Sequence, residues 1–506
     1  MRTVGLLGAA MLAAASPGFA QHHASGTSPP GMRVGEVHLV NDGNAAAQAP
    51  FQRGLALLHD FEYSSAAEAF REAQGADPGF VMAYWGEAMS HNHPLWAEQD
   101  APAARGVLAR LGPTPEARAA KSRSRREGQW LAAVEALYGP GSKIERDRAY
   151  ADRMQALFDS DPNDIDARAF RALSIMGLAH EGRDIGLYMQ AAALLEEAFP
   201  AHPDHPGVVH YLIHAYDDPA HAPLGERAAR RYAAIAPDAG HAQHMVSHIY
   251  LALGRWDEVE QANVNAMRVV NAMRAKSAAP PAHCGHYVEW RAYALLQKGE
   301  DASALIDACR ADGMAELAAG TDISVLGAGR SDLTSWSDMA VRQGLETGRW
   351  PAAVALPAGR YEFVRFNLGY ARLLAARRQP ADVASALAAM KQSRAAIASA
   401  LPTERPDEQE VLPWVDRVIA QAEAVVELAN GKRAEGIALL RAAASAEAAL
   451  PIPFGPPILH KPSAELLGEE LLAAGQKAEA ATAFRAALAA APGRRRSALG
   501  LAAATR

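Results

Sequence analysis

Two pairs of histidines are placed as a metal site would need them. His210 and His214 stand four residues apart, as do His244 and His248, and the second pair follows the first by 34 residues. Side chains four apart on a helix project from one face, so each pair can close on a single ion. Asp217 and Asp218 follow His214 by about one turn. If the pairs ride on adjacent helices about 8 to 10 Å apart, both reach one ion or two neighbouring ions. Imidazole with carboxylate suits zinc, iron, copper or manganese better than calcium or magnesium. The candidate ligands are therefore His210, His214, His244 and His248, with Asp217 or Asp218 as a fifth. His241, His286 and Glu289 are candidates for outer ligands, hydrogen-bonding partners of the ligands, or a general base. The alternative is a buried polar network, because eight of the eighteen histidines fall between His202 and Tyr250 and such pairs arise easily in so rich a stretch. Repetition of the pair in register, with acids beyond it, favours metal.

The elements that position these residues must be helices. Half of the 506 residues are apolar, and alanine dominates stretches such as 381–400 and 473–491, which suits close-packed helices. A chain this long exceeds one ordinary core, but a repeat array escapes that limit because each unit packs only on its neighbours. The net charge of -7 argues against wholesale binding to nucleic acid or anionic membrane, and the basic runs at 118–126 and 494–496 read as solvated helix faces and ends.

Residues 1–20 read as a secretory signal: Arg2, an apolar stretch from Val4 to Ala15, and the small-residue site Gly18-Phe19-Ala20. Cleavage after Ala20 is expected, giving a protein exported to the periplasm or beyond, and no later run is long enough to span a bilayer. Residues 21–48 read as a flexible leader. Its first residues, Gln21-His22-His23, offer a terminal amine and a third-position histidine to Cu(II) or Ni(II), although a plain polar tail is the simpler reading. Cys284 and Cys309 sit at the same end of an expected helical hairpin. They are open to three readings: a disulfide, two free thiols, or Cys284 as a soft ligand.

Along the chain, Gly54, Leu57, Ala66, Phe70, Ala73 and Pro78 fall at the small, large, small, aromatic, small and proline positions of a two-helix repeat. Leu467, Gly468, Leu471, Ala480, Phe484, Ala487 and Pro492 fill the same slots near the end, and Pro203 and Pro237 close successive units. These residues resemble the tetratricopeptide repeat superfamily. The phrases YWGEAMSHNHPLW, HYLIHAYDDP, GHAQHMVSHIYLALGRW and FGPPILHKPSAELLGE are similar to those of exported, histidine-rich bacterial tetratricopeptide proteins, except that Val246 stands where proline is expected. The resemblance implies an all-α, right-handed solenoid of antiparallel helix pairs. It divides the chain into an N-terminal and central array at 49–310, divergent repeats at 311–450, and a Pro-rich loop with a last repeat at 451–506. It further implies that the first helix of each repeat lines a concave groove. His210, His214, Asp217 and Asp218 then take groove positions of one unit, His241, His244 and His248 of the next, and His286 and Glu289 of a third.

Three functions follow, in order of preference. The first is an exported repeat protein that binds a transition metal through a His/Asp cluster. The second is a metal-dependent hydrolase or oxidoreductase in which Asp218, Glu289 or His241 moves protons. The third is a metal-free scaffold for a protein or peptide partner, with Tyr211, Tyr216 and Tyr250 as stacking contacts. No nucleophile elbow, phosphate loop, HExxH or paired CxxC motif is present.

Overall fold

The computed structural model describes residues 31–96, 98–320, 331–401 and 411–506. The signal sequence, the Gln21-His22-His23 start and the polar break expected at 403–410 lie outside the described residues. Helices supply nearly all the regular structure, and a two-stranded ribbon pairs Asn92–His93 with Glu98–Gln99.

The repeats interlock through small residues set against large ones. Helix Ala45–His59 pairs with Tyr63–Ala76, and Val81–Met89 opens the next hairpin. Phe70 is gripped from both sides: a Cβ on Gly54 would meet its ring at 3.0 Å and one on Gly86 at 2.3 Å. Phe51 completes the contact with its centroid 5.7 Å away. Phe484 is held in the same way, at 2.8 Å from a Cβ on Gly468 and 2.3 Å from one on Gly500. The same solution at both ends of the chain makes the molecule an α-solenoid of tetratricopeptide type, whose cores are strung in succession along the stack.

Five consecutive helices frame the histidines, Pro206–Ala215, Ala222–Ile235, Gly240–Ala252, Trp256–Lys276 and His286–Lys298, and the first, third and fifth carry them. Val246 sits inside Gly240–Ala252 without a break. Gly285 starts the last of these helices at φ 96°, a conformation that favours glycine. Just before it, Cys284 is joined to Cys309 by a disulfide, which selects one of the three readings left open by spacing.

Two segments lie against this stack from outside it. The described part of the leader is packed down: Val34, Val37 and Leu39 are buried, and Gly35 N donates to Ile235 O at 3.0 Å. The apolar side chains of those three residues explain the difference from a polar, flexible leader. At the other end, Trp256 Nε1 donates to Gly493 O at 3.1 Å and Arg494 Nη1 to the Tyr293 hydroxyl at 3.3 Å. The last repeat is thereby tied to the middle of the array.

Candidate metal centre

His244 and His248 lie one turn apart on Gly240–Ala252, and their outward nitrogens are both anchored. His244 Nδ1 lies 2.8 Å from Asn263 Oδ1, while Asn263 Nδ2 donates to Val259 O at 2.8 Å. The amide is thus oriented with its oxygen towards the ring, and His244 must donate. His248 Nδ1 donates to Asp217 Oδ2 at 2.6 Å. With Nδ1–H spent in both rings, each neutral imidazole carries its lone pair on Nε2.

Those lone pairs face one another. His244 Nε2 lies 3.1 Å from His248 Nε2, and His286 Nε2, from the start of the next helix, lies 3.0 Å from His244 Nε2. Neutral lone pairs at this distance repel unless a cation sits between them. A proton is a poor candidate at neutral pH, because burial, then the charges His286 and His248 would carry, push His244 well below its ordinary value. Imidazole nitrogens held about 2.0–2.1 Å from a tetrahedral metal stand about 3.3 Å apart, close to the spacing seen. A carboxylate or amide oxygen behind the ring is also the usual outer partner of a metal-bound histidine. His244 and His248 are buried and His286 is exposed, so the group opens to solvent on one side.

A second trio lies deeper. His210 and His214 on Pro206–Ala215 come together with His241, one ligand atom from each lying within 4.8 Å of the others. His210 Nδ1 donates to His59 O at 2.6 Å, which leaves its Nε2 lone pair without a partner, and neither ring nitrogen of His214 has one. All three residues are at most 2% exposed. Burial, then His59 and His248, hold His210 down to about 3 despite its backbone hydrogen bond. Phe61 covers the trio, its centroid 4.4 Å from His210, 5.6 Å from His214 and 5.7 Å from His241. The trios are neighbours: ring centroids are 6.1 Å apart for His214 and His248, and 6.3 Å for His241 and His244.

The helical register of the sequence thus brings all four paired histidines to one wall, with His241 and His286, but sorts them into two threes. Asp217, expected as a fifth ligand, stands behind His248 instead. Asp218 is occupied elsewhere: it accepts from Ala220 N at 2.9 Å, His221 N at 3.1 Å, His221 Nδ1 at 2.8 Å and Arg183 Nη2 at 3.3 Å. That saturation suits a loop-fixing role better than proton transfer. Glu289 takes a hydrogen bond from Ser335 and neighbours Asp338 and Arg342, and burial, then the Asp338 charge, push its carboxyl up to about 7. Asp338 in turn accepts from His460 Nε2 at 2.7 Å.

Several residues of this wall escaped sequence reasoning. Asn263 was hidden because the partner of a ligand lies on another helix at no fixed spacing. Phe61 and Trp290 looked like ordinary core, yet Trp290 packs on His248 at 4.4 Å and His244 at 4.7 Å. The Pro-rich loop was visible only as a break in the helices. In the structure it reaches the histidines, with Phe454 6.5 Å from His214 and 6.2 Å from Tyr188, and Gly455 so close to Trp290 that a Cβ would stand 2.2 Å from Cζ2.

Another histidine group lies behind the wall. His59 Nε2 and His205 Nε2 lie 3.0 and 3.1 Å from Asp166 Oδ1. Val208 N donates to His205 Nδ1 at 3.4 Å, and the Tyr211 hydroxyl lies 3.0 Å from His59 Nδ1. One tautomer per ring satisfies this group without an ion. His93 stacks on Tyr63 at 4.0 Å and belongs to neither trio.

No family model and no curated protein matches the sequence. Among solved structures, the chain is similar to a thermophilic TPR protein of Thermus thermophilus, at 16% identity and TM-score 0.26 over 46% of this chain and 97% of that one. It is similar to the APC/C hetero-tetramer Cut9-Hcn1 at 12% identity and TM-score 0.36, over 92% and 78% of the two chains. The P58(IPK) TPR domain aligns at 11% identity and TM-score 0.19, over 91% and 98%. By the way its own helices interlock, this chain folds as an α-solenoid of antiparallel helix pairs.

Proposed function

We propose that this protein is an exported tetratricopeptide-type protein that binds a transition-metal ion through His244, His248 and His286. One observation carries the reading: three Nε2 atoms converge at 3.0 and 3.1 Å while the Nδ1 atoms of His244 and His248 are committed to Asn263 and Asp217. Between His244 and His248 a hydrogen-bond network alone would place a donor, whereas both Nε2 atoms there carry lone pairs. The set is all imidazole, which suits copper, zinc, nickel or iron. Asp217 contributes charge and orientation from behind His248 rather than a bond to the ion. The exposed His286 side leaves room for a fourth ligand, water or a small molecule, so use of the ion in catalysis is the next reading.

The test is elemental analysis of tag-free protein after loading with zinc. Near-stoichiometric zinc in the wild type, lost in His248→Ala and in His286→Ala, is the expected result. A folded wild-type protein that takes up no zinc, copper, nickel or iron would overturn the reading and return attention to a partner of the groove.

A further inference from the structure

We infer that the deep trio His210, His214 and His241 is a second metal site, separate from the outer one, and that it takes copper as Cu(I) in preference to divalent ions. This rests on the reading of the outer trio as a metal site and extends it to an adjacent centre of different chemistry.

Two observations point to a ligand here. The Nε2 of His210 and both ring nitrogens of His214 are buried without a hydrogen-bond partner, and a buried polar atom left unpaired costs about 1–3 kcal/mol. Three such atoms on one wall call for an occupant. His210 is also oriented as a ligand, with Nδ1–H on the His59 carbonyl and Nε2 facing the group.

The surroundings choose the charge of the ion. Asp217 backs the outer trio through His248, whereas the oxygen behind His210 in the deep one is a neutral carbonyl, that of His59. Of the charged groups nearby, Arg183 and Asp60 bond to other residues, and Glu62 stands beside His241. Arg183 donates to Asp218 at 3.3 Å, Asp60 accepts from the Tyr232 hydroxyl at 2.8 Å, and Glu62 Oε1 accepts from the backbone N of His241 at 2.9 Å. Aromatic rings close the site, with Phe61 over all three histidines, Trp96 6.2 Å from His214 and 6.5 Å from His241, and Phe454 6.5 Å from His214. Burying charge without a counter-charge is expensive and grows steeply with the charge buried. Three imidazoles among aromatic rings, with a neutral carbonyl behind His210, therefore hold a monovalent ion at lower cost than a divalent one. Cu(I) is the monovalent first-row ion that binds imidazole nitrogen and is content with three ligands.

The full-length protein is loaded under nitrogen, in parallel, with zinc and with ascorbate-reduced copper, then desalted and analysed for metal per chain. The wild type should hold one zinc but two Cu(I). His214→Ala and the milder His210→Gln should each remove one Cu(I) and leave zinc at one. His248→Ala should lose zinc yet keep one Cu(I), whose X-ray absorption edge reports three nitrogen ligands even if the deep-site variants fail to fold. Two zinc ions per wild-type chain, or a copper count that His248→Ala alone abolishes, would overturn this inference while leaving the outer site standing. No metal of any kind in the wild type would instead remove the proposed function.

Discussion

His59, Asp166 and His205 form one buried group, and His244, His248 and Asp217 form part of another, from the same two residue types. In the first the carboxylate sits between the imidazoles and takes a hydrogen bond from each. In the second it stands behind one ring, and the imidazoles face each other lone pair to lone pair. The position of a single carboxylate separates a network complete in itself from one that wants a cation. Counting histidines does not distinguish the two; asking where each N–H goes does.

The largest effect should come from emptying the complete network. Asp166→Ala leaves two buried imidazoles with no acceptor, and a loss of about 3–5 kcal/mol in unfolding free energy is expected by denaturant titration, with metal content per folded chain unchanged. If metal falls too, the two groups are not independent.

Acid should act next, and in a fixed direction. Burial, then the neighbouring His205, hold His59 at about 4, against Asp166 pulling it up, while the unfolded chain protonates near the ordinary 6.5. The unfolded state therefore binds the proton first, so stability is full above about 6.5 and is lost as pH falls towards 4, by about 3 kcal/mol from this residue alone. His210, held to about 3, adds in the same sense. Melting of metal-free protein between pH 7 and 4 checks this; a flat profile would contradict the burial of both rings.

Asp217→Asn sharpens the contrast from the other side. It should leave the melting temperature nearly unchanged but weaken zinc about 10–100-fold in chelator competition, because only the outer partner of His248 is altered. The smallest effect belongs to a histidine outside all these groups. His93→Ala removes a stack on Tyr63 worth about 0.5–1.5 kcal/mol and should leave every metal count as it was.

Much of the fold was legible because tetratricopeptide packing writes itself locally: Gly54 and Phe70, or Gly468 and Phe484, sit at fixed offsets within one hairpin. The histidine wall was legible for the same reason, since His210 and His214, or His244 and His248, share a helix face. Their sorting was not. His241 joins His210 and His214 although it lies on the helix of His244 and His248, and His286 takes the place it leaves. Which side chains converge depends on helix rotation and on side-chain direction across helices, which no spacing records. Asp217 shows the limit most plainly, for a carboxylate one turn beyond a histidine can ligate an ion or steady a neighbour's ring, and only the distance to His248 Nδ1 tells which.

The loop from Pro451 to Pro457 gives the wall a history as well as a shape. Phe454 and Gly455 reach His214 and Trp290 from a part of the chain that leaves the ribosome long after the histidines have been made. Until it arrives, the deep trio lacks part of its cover; once it has docked, the exposed His286 marks the open side. Removing the loop would therefore uncover the deep trio on the side that Phe454 closes and leave the His286 side as it is.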